Sequence, residues 1–349
     1  MSSEFITAIA EIEKEKNISR DILFDAIDAA LVSAYKRNYN TNQSNVLVNI
    51  DRETGEVRVF IQKEVCEEVT DTLSQISLED AHKISGTYEL GDIVNIEDTP
   101  MAFGRIAAQT AKQVVTQRIK EAERTMVYDE FVSKEHKILA GTIQRIERNN
   151  IYLDVGKTEA YLAPNEQVHG ESYTFHKRMK VYVTDVRKTT KGTVVYVSRT
   201  RPALVAGLFE EEIPEIKDGI VEIKSISREP GSRTKMAVST NDPSIDPIGA
   251  CIGTKGTRVQ VIVDELNGEK MDIVRYSDDP AEFIKASLNP AEVIKLDVDT
   301  ENKEAHVIVP VHQLSLAIGK EGQNARLAAR LTGYKIDIKS DDPGSGLLL

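Results

Sequence analysis

The sequence predicts a multidomain α+β protein, and three observations carry that expectation. The first third is acidic and reads as helices around a few strands, closing on one long helix. A basic middle segment is dense in short strands. In the last part, one strand–strand–helix–loop–helix–strand frame occurs twice, and an internal duplication outranks any single motif. The 349 residues leave room for two to four domains. Apolar residues make up 40% and charged residues 29%, the balance of a folded chain rather than a disordered one.

Residues 1–16 read as a helix with Phe5, Ile9 and Ile12 at helical spacing. Ser19 is placed to cap a second helix, with Ile22, Leu23, Ile27, Ala30, Leu31 and Ala34 inward and an end near Tyr35-Lys36-Arg37. Residues 46–50 and 56–61 form a hairpin around Asp51-Arg52-Glu53-Thr54-Gly55, and a further strand runs from about Ile93 to Ile96. After Pro100, one helix spans Phe103 to Phe131, with Ile106, Val114, Ile119, Ala122 and Met126 among its apolar positions.

Residues 134–201 carry five β signals: 139–143, 151–155, 160–162, 180–186 and 193–198. Five short strands with glycine at the turns predict a small Greek-key barrel of OB type. Tyr152, Tyr161, Tyr173, Phe175 and His176 supply rings among 13 basic side chains. Aromatics and cations on one barrel face form a stacking platform for single-stranded bases, a role that falls to Tyr152 and Tyr161. Tyr182 and Tyr196 are expected in core or edge packing.

The duplicated frame follows. Its first copy has a short helix Ala203–Glu212, strands 220–227 and 235–239 around the turn Glu229-Pro230-Gly231-Ser232, and a helix started by Asp246-Pro247. A helix Thr257–Leu266, ended by Asn267-Gly268, and a strand Met271–Tyr276 complete it. The second copy has a helix Ala281–Leu288, strands 292–298 and 305–309, a helix Asn324–Leu331, Gly333 as its C-cap, and a strand 334–339. The tail 341–349 reads as a frayed end.

Each copy holds an Ile-Gly-x-x-Gly loop between two helices: Ile252-Gly253-Thr254-Lys255-Gly256 and Ile318-Gly319-Lys320-Glu321-Gly322. Paired glycines allow a sharp turn and a close approach by a ligand. The following helix presents free N–H groups and the positive end of its dipole, which suit a phosphate. Lys255, Arg258, Lys320 and Arg326 add cations. This is the Gly-x-x-Gly clamp of a KH domain, which grips about four nucleotides of a single strand by their backbone.

Net charge is −12, which on its face disfavours nucleic acid. The charge is uneven: residues 1–133 sum to −10, residues 134–201 to +6 and residues 202–349 to −8. Attraction to phosphate is local, because salt screens beyond about 8–10 Å, so the total does not veto binding. The acidic first segment is expected to meet a protein. No apolar run reaches the roughly 18 residues of a membrane span. Residues Glu4, Glu11 and Glu13 interrupt any signal core. Cys66 and Cys251 stand far apart without a C-x-x-C partner, which fits a reducing cytoplasm.

An enzyme reading, such as a nuclease or nucleotidyl transferase, finds little support. The chain has no Gly-x-x-x-x-Gly-Lys-[Ser/Thr] and no His-Glu-x-x-His, and its six histidines are scattered. Asp278-Asp279 and Asp341-Asp342 each precede proline and read as exposed turn acids. No metal or cofactor is expected. A ribosomal RNA binder built from the same modules is a second alternative.

Several ordered stretches resemble one family: Leu208-Phe209-Glu210 with Ile213-Pro214-Glu215-Ile216, residues 228–235, Gly249-Ala250-Cys251-Ile252-Gly253, and residues 316–324. The chain resembles the NusA family of bacterial transcription elongation, termination and antitermination factors over nearly its whole length. That resemblance implies a multidomain α+β architecture. It comprises an N-terminal α/β polymerase-binding domain with a long helix (1–133), an OB-fold barrel of S-one type (134–201), and two tandem type II KH domains (202–277 and 278–349). It implies RNA polymerase core, single-stranded nascent RNA and other Nus-type factors as partners of a cytoplasmic, non-catalytic monomer. The RNA contacts carried over are Ile252, Gly253, Thr254, Lys255, Gly256 and Arg258, then Ile318, Gly319, Lys320, Glu321, Gly322, Gln323, Asn324 and Arg326. His176-Lys177 stands where the family pattern has Gly-Asp, and the acidic repeats of some relatives do not follow the second KH copy.

Overall fold

The computed structural model describes residues 3–16, 18–39, 45–190 and 192–341, with the side chains of residues 3–5 excepted. The Phe5 side chain, Asp342 and the expected frayed tail beyond Asp341 lie outside that set. The chain forms two compact units, residues 1–126 and 127–349.

The first unit contains α1 (Ser3–Lys16), α2 (Arg20–Tyr39), β1 (Asn45–Ile50), β2 (Val57–Cys66), β3 (Gln75–Ser77), α3 (Leu78–Ile84), β4 (Ile93–Glu97) and most of α4 (Phe103–Val132). Strand β2 organises the sheet, pairing antiparallel with β1 and β4 and parallel with β3. Leu23, Phe24, Ile27, Leu31 and Tyr35 of α2 are buried against Phe103, Ala107, Ala111 and Val115, an i, i+4 stripe on α4. Two expectations shift here. Ile22 is exposed, because Phe24 and not Ile22 shares the face of Ile27 and Leu31. Met126 is exposed as well, since the buried stripe of α4 ends earlier within this unit. Helix α2 runs to Tyr39, two residues past Arg37, and the Tyr35 hydroxyl donates to Asp98. β3 and α3 were not expected; Ser77 caps α3 by accepting from the Asp80 N–H at 3.1 Å.

The second unit opens with a closed five-stranded barrel: β5 (Ile138–Glu147), β6 (Asn150–Asp154), β7 (Glu159–Leu162), β8 (Arg178–Thr189) and β9 (Gly192–Ser198). Its order is β5-β6-β7-β9-β8. Phe131, from the last turns of α4, is sealed into the barrel core with Ile143, Leu153, Val181 and Val197.

Two three-stranded modules follow. The first has α5 (Pro202–Glu212), α6 (Pro214–Lys217), β10 (Val221–Glu229), β11 (Arg233–Thr240), α7 (Pro247–Ile252), α8 (Thr257–Glu265) and β12 (Lys270–Arg275). The second has α9 (Pro280–Ser287), β13 (Lys295–Asp299), β14 (Glu304–Val309), α10 (Leu314–Ile318), α11 (Gln323–Thr332) and β15 (Lys335–Ser340). In each, the strands flanking the helix pair run parallel and the extra strand antiparallel. Asp246 and Asp279 cap α7 and α9 with proline at the next position, so Asp279 acts as a helix cap. Gly333 ends α11 at φ 77°, its N–H donating to Ala329 O. Within this unit, α9 and α11 cover the sheet of the first module, burying Ala237, Val274, Phe283 and Leu331 together.

Candidate nucleic-acid interface

Both glycine loops have one conformation. Gly253 and Gly319 sit at φ/ψ 73°/174° and 77°/171°, a region open only to glycine. Lys255 and Glu321 follow at φ 56° and 54°, and Gly256 and Gly322 are left-handed at φ 78° and 72°. Helices α8 and α11 start at the next residue, and the turns close on themselves: the Gly256 and Thr257 N–H groups donate to Gly253 O and Thr254 O, and those of Gly322 and Gln323 to Gly319 O and Lys320 O. Thr254, Lys255, Lys320 and Glu321 are exposed, as are Ile252 and Ile318, each 37% accessible. No neighbouring side chain buries these turns among the described residues.

The two loops differ in what stands behind them. A Cβ on Gly253 would lie 2.8 Å from Arg258 Cγ, so the arginine stem packs directly beneath the turn. The Arg258 guanidinium donates to both carboxylate oxygens of Glu215, at 3.1 and 3.0 Å, and to Ala250 O at 2.7 Å. A Cβ on Gly319 would lie 2.8 Å from the backbone nitrogen of Asn324. Asn324 is buried; its amide donates to Ala317 O at 3.0 Å and Leu288 O at 3.2 Å, tying the loop to α9 and α10.

Gln323 and Arg326, read from sequence as transcript contacts, hydrogen-bond to the first module. Gln323 donates to Glu229 at 2.8 Å and to Ser232 at 2.7 Å. Arg326 Nε donates to Glu229 at 2.6 Å, and its Nη1 to the Glu321 carbonyl at 3.1 Å. Arg258 and Asn324 are thus internal supports of the clamps, and Arg326 is an ion-pair partner. The second clamp borders a groove of about 390 Å³ lined by Ser232, Arg233, Lys270, Lys320 and Gln323.

On the barrel, Tyr152 and Tyr161 are direct cross-strand partners on β6 and β7, their ring centroids 5.5 Å apart. Tyr196 on β9 stands beside Tyr161 at 5.7 Å, edge to face. Arg145 lies 3.8 Å from the Tyr152 ring and Arg187 5.0 Å from Tyr196. This outer stripe is half-buried, and Tyr196 lies on it, packed at the edge of Tyr161 rather than in the core. Its alternation with the buried Val195 and Val197 was the available signal. Tyr182 does pack at an edge, against the first KH core. Tyr173 leaves the platform: its ring joins the barrel core and its hydroxyl donates to Glu171 at 2.8 Å.

Buried charge joins the modules. Arg199, at the end of the barrel, pairs with Glu171 and donates to Glu265 at 2.9 Å and to Lys180 O at 2.6 Å, linking β8, β9 and α8. Arg228 makes a two-pronged pair with Glu269 at 2.8 and 2.9 Å. Lys235 reaches Asp272 at 3.1 Å and Asn289 O at 3.2 Å across the KH–KH boundary. Burial pulls its ammonium below the ordinary lysine range, with Asp272 opposing. Glu171 and Glu265 were not singled out from sequence, and Glu215 and Glu229 were named only within longer stretches, because nothing local marks which acids a fold will pair.

Comparison with known proteins follows this order of parts. Four family models match in sequence: the NusA N-terminal domain over residues 4–125, the S1 RNA binding domain over 133–198, the NusA-like first KH domain over 199–276 and the NusA-like second KH domain over 280–344. A transcription termination/antitermination protein NusA from Bacillus subtilis (strain 168) is 57% identical over 341 residues, 98% of this chain and 92% of the relative. The protein of that name from Thermus thermophilus is 40% identical over 349 residues, covering 97% of this chain and 90% of the relative. A solution structure of the N-terminal domain of NusA from B. subtilis is 58% identical over 36% of this chain and 99% of its own, with a TM-score of 0.33.

Proposed function

The chain belongs to the NusA family of transcription termination/antitermination proteins, and from that membership we propose that it is a two-ended adaptor between RNA polymerase and the nascent transcript. Residues 1–133 are the polymerase end. The barrel and both KH modules are the RNA end, with other Nus-type factors as further partners. The observation that carries the RNA half is the pair of exposed glycine turns with matching backbone angles, each opening a helix beside a lysine, Lys255 or Lys320.

In this reading Gly253–Gly256 and Gly319–Gly322 receive the phosphate backbone on amides, flanked by Ile252 and Ile318, while Tyr152, Tyr161 and Tyr196 stack bases. Each module alone binds weakly. Linking them raises the local concentration of the next site, so together they hold a strand that none holds alone. Gripping RNA as it emerges biases hairpin formation, and through it pausing, termination and antitermination.

The test is retention of core RNA polymerase by residues 1–133 alone. Capture by 1–133 and not by 134–349 is expected. Capture by neither piece, with RNA binding intact, favours a ribosomal RNA binder built on the same modules.

A further inference from the structure

Each clamp carries an arginine in the first turns of the helix that follows it, and each arginine is occupied by a glutamate of the first KH module. Arg258 is held by Glu215, and Arg326 by Glu229. The second pair is the more telling, because it crosses modules. Glu229 ends β10, 97 residues before Arg326, and its carboxylate also takes the Gln323 amide and lies 3.8 Å from Arg330. The Glu229 side chain is 21% exposed and that of Arg326 43%. Arg326 rests against the loop itself, its Nη1 donating to the Glu321 carbonyl at 3.1 Å.

We infer that Glu229 is a positioning residue that withholds Arg326 from RNA, so that the second clamp grips with backbone amides and Lys320 alone. This rests on the RNA-binding reading above. Physically, a guanidinium with a carboxylate on one edge and a carbonyl on another has little charge left to offer a phosphate. A single-strand grip limited in this way is weak and lets the transcript advance through it. The Arg326 hydrogen bond, in turn, holds the Glu229 carboxyl below its ordinary range, so the lock stays charged at neutral pH.

Replacing Glu229 with glutamine keeps the shape and removes the charge. Full-length Glu229→Gln is expected to bind a generic single-stranded RNA about three- to tenfold more tightly at low salt, with the log–log salt slope steeper by about 0.7, one further phosphate contact. The gain should vanish in Glu229→Gln/Arg326→Gln. Unchanged or weaker binding by a folded Glu229→Gln, or a gain that survives the double change, overturns the inference. A wild-type measurement covers the case of misfolding. On RNA titration the Arg326 Nε–H resonance should stay in place while the amides of residues 319–322 move; joint movement overturns the inference. Wild-type protein that binds no RNA at any salt defeats the RNA reading itself, and this inference with it.

Discussion

At the scale of single residues, the two glycines of each clamp are not equivalent. Gly319 combines a backbone region closed to other residues with a Cβ position 2.8 Å from the Asn324 nitrogen. Gly322 is left-handed, but its nearest neighbour is the tip of Arg326 at 3.8 Å. Gly319→Ala is therefore expected to cost about 2–3 kcal/mol, and Gly322→Ala about 1 kcal/mol. Thermal unfolding of the two variants checks this; equal costs would contradict the assignment. The motif was legible in the sequence because spacing alone defines it. The behaviour of Arg258, Gln323, Asn324 and Arg326 was not, since a cation beside a clamp looks the same in sequence whether it faces a phosphate or a distant glutamate.

At the scale of elements, periodicity placed most helices and strands within a few residues. The five barrel strands and both helix–loop–helix frames followed from alternation and glycine turns, and the start of α7 from Asp246-Pro247; Asp279, read from sequence as a turn acid, caps α9. The short β3 and α3 were missed because three strand residues and two helical turns carry too little pattern. The face assignments of Ile22 and Met126 failed for a related reason: both are apolar, yet the neighbours that select the buried face come from other elements. What fastens the elements is also nonlocal. Arg199 is 1% exposed and holds Glu171, itself 2% exposed, together with α8. Arg199→Ala strands that carboxylate in the interior, and is expected to cost about 3–5 kcal/mol. A lower unfolding temperature of the full chain is the readout, and an unchanged one would show that water already reaches this network.

At the scale of the whole molecule, the overall charge of −12 and the proposed grip on RNA are compatible, because the grip comes from turn amides and a few placed cations. Among the described residues, six acids of the first KH module, Glu215, Glu229, Asp246, Glu265, Glu269 and Asp272, pair with arginines, so part of the acidic excess is taken up within the protein. The domain order was readable from composition shifts and the duplication. The joints between modules were not, because the residues that form them, the charged Arg199 and Lys235 and the apolar Phe283 and Leu331, meet partners far away in sequence. The most direct test of the central claim, that exposed glycine turns hold an RNA backbone, is to load them with negative charge and spare the glycines. Full-length Thr254→Asp/Lys255→Asp/Lys320→Asp should lose about tenfold or more in affinity for single-stranded RNA, with a shallower salt dependence and an unfolding temperature near that of the wild type. Wild-type affinity and salt slope in that variant would show that the strand is held elsewhere.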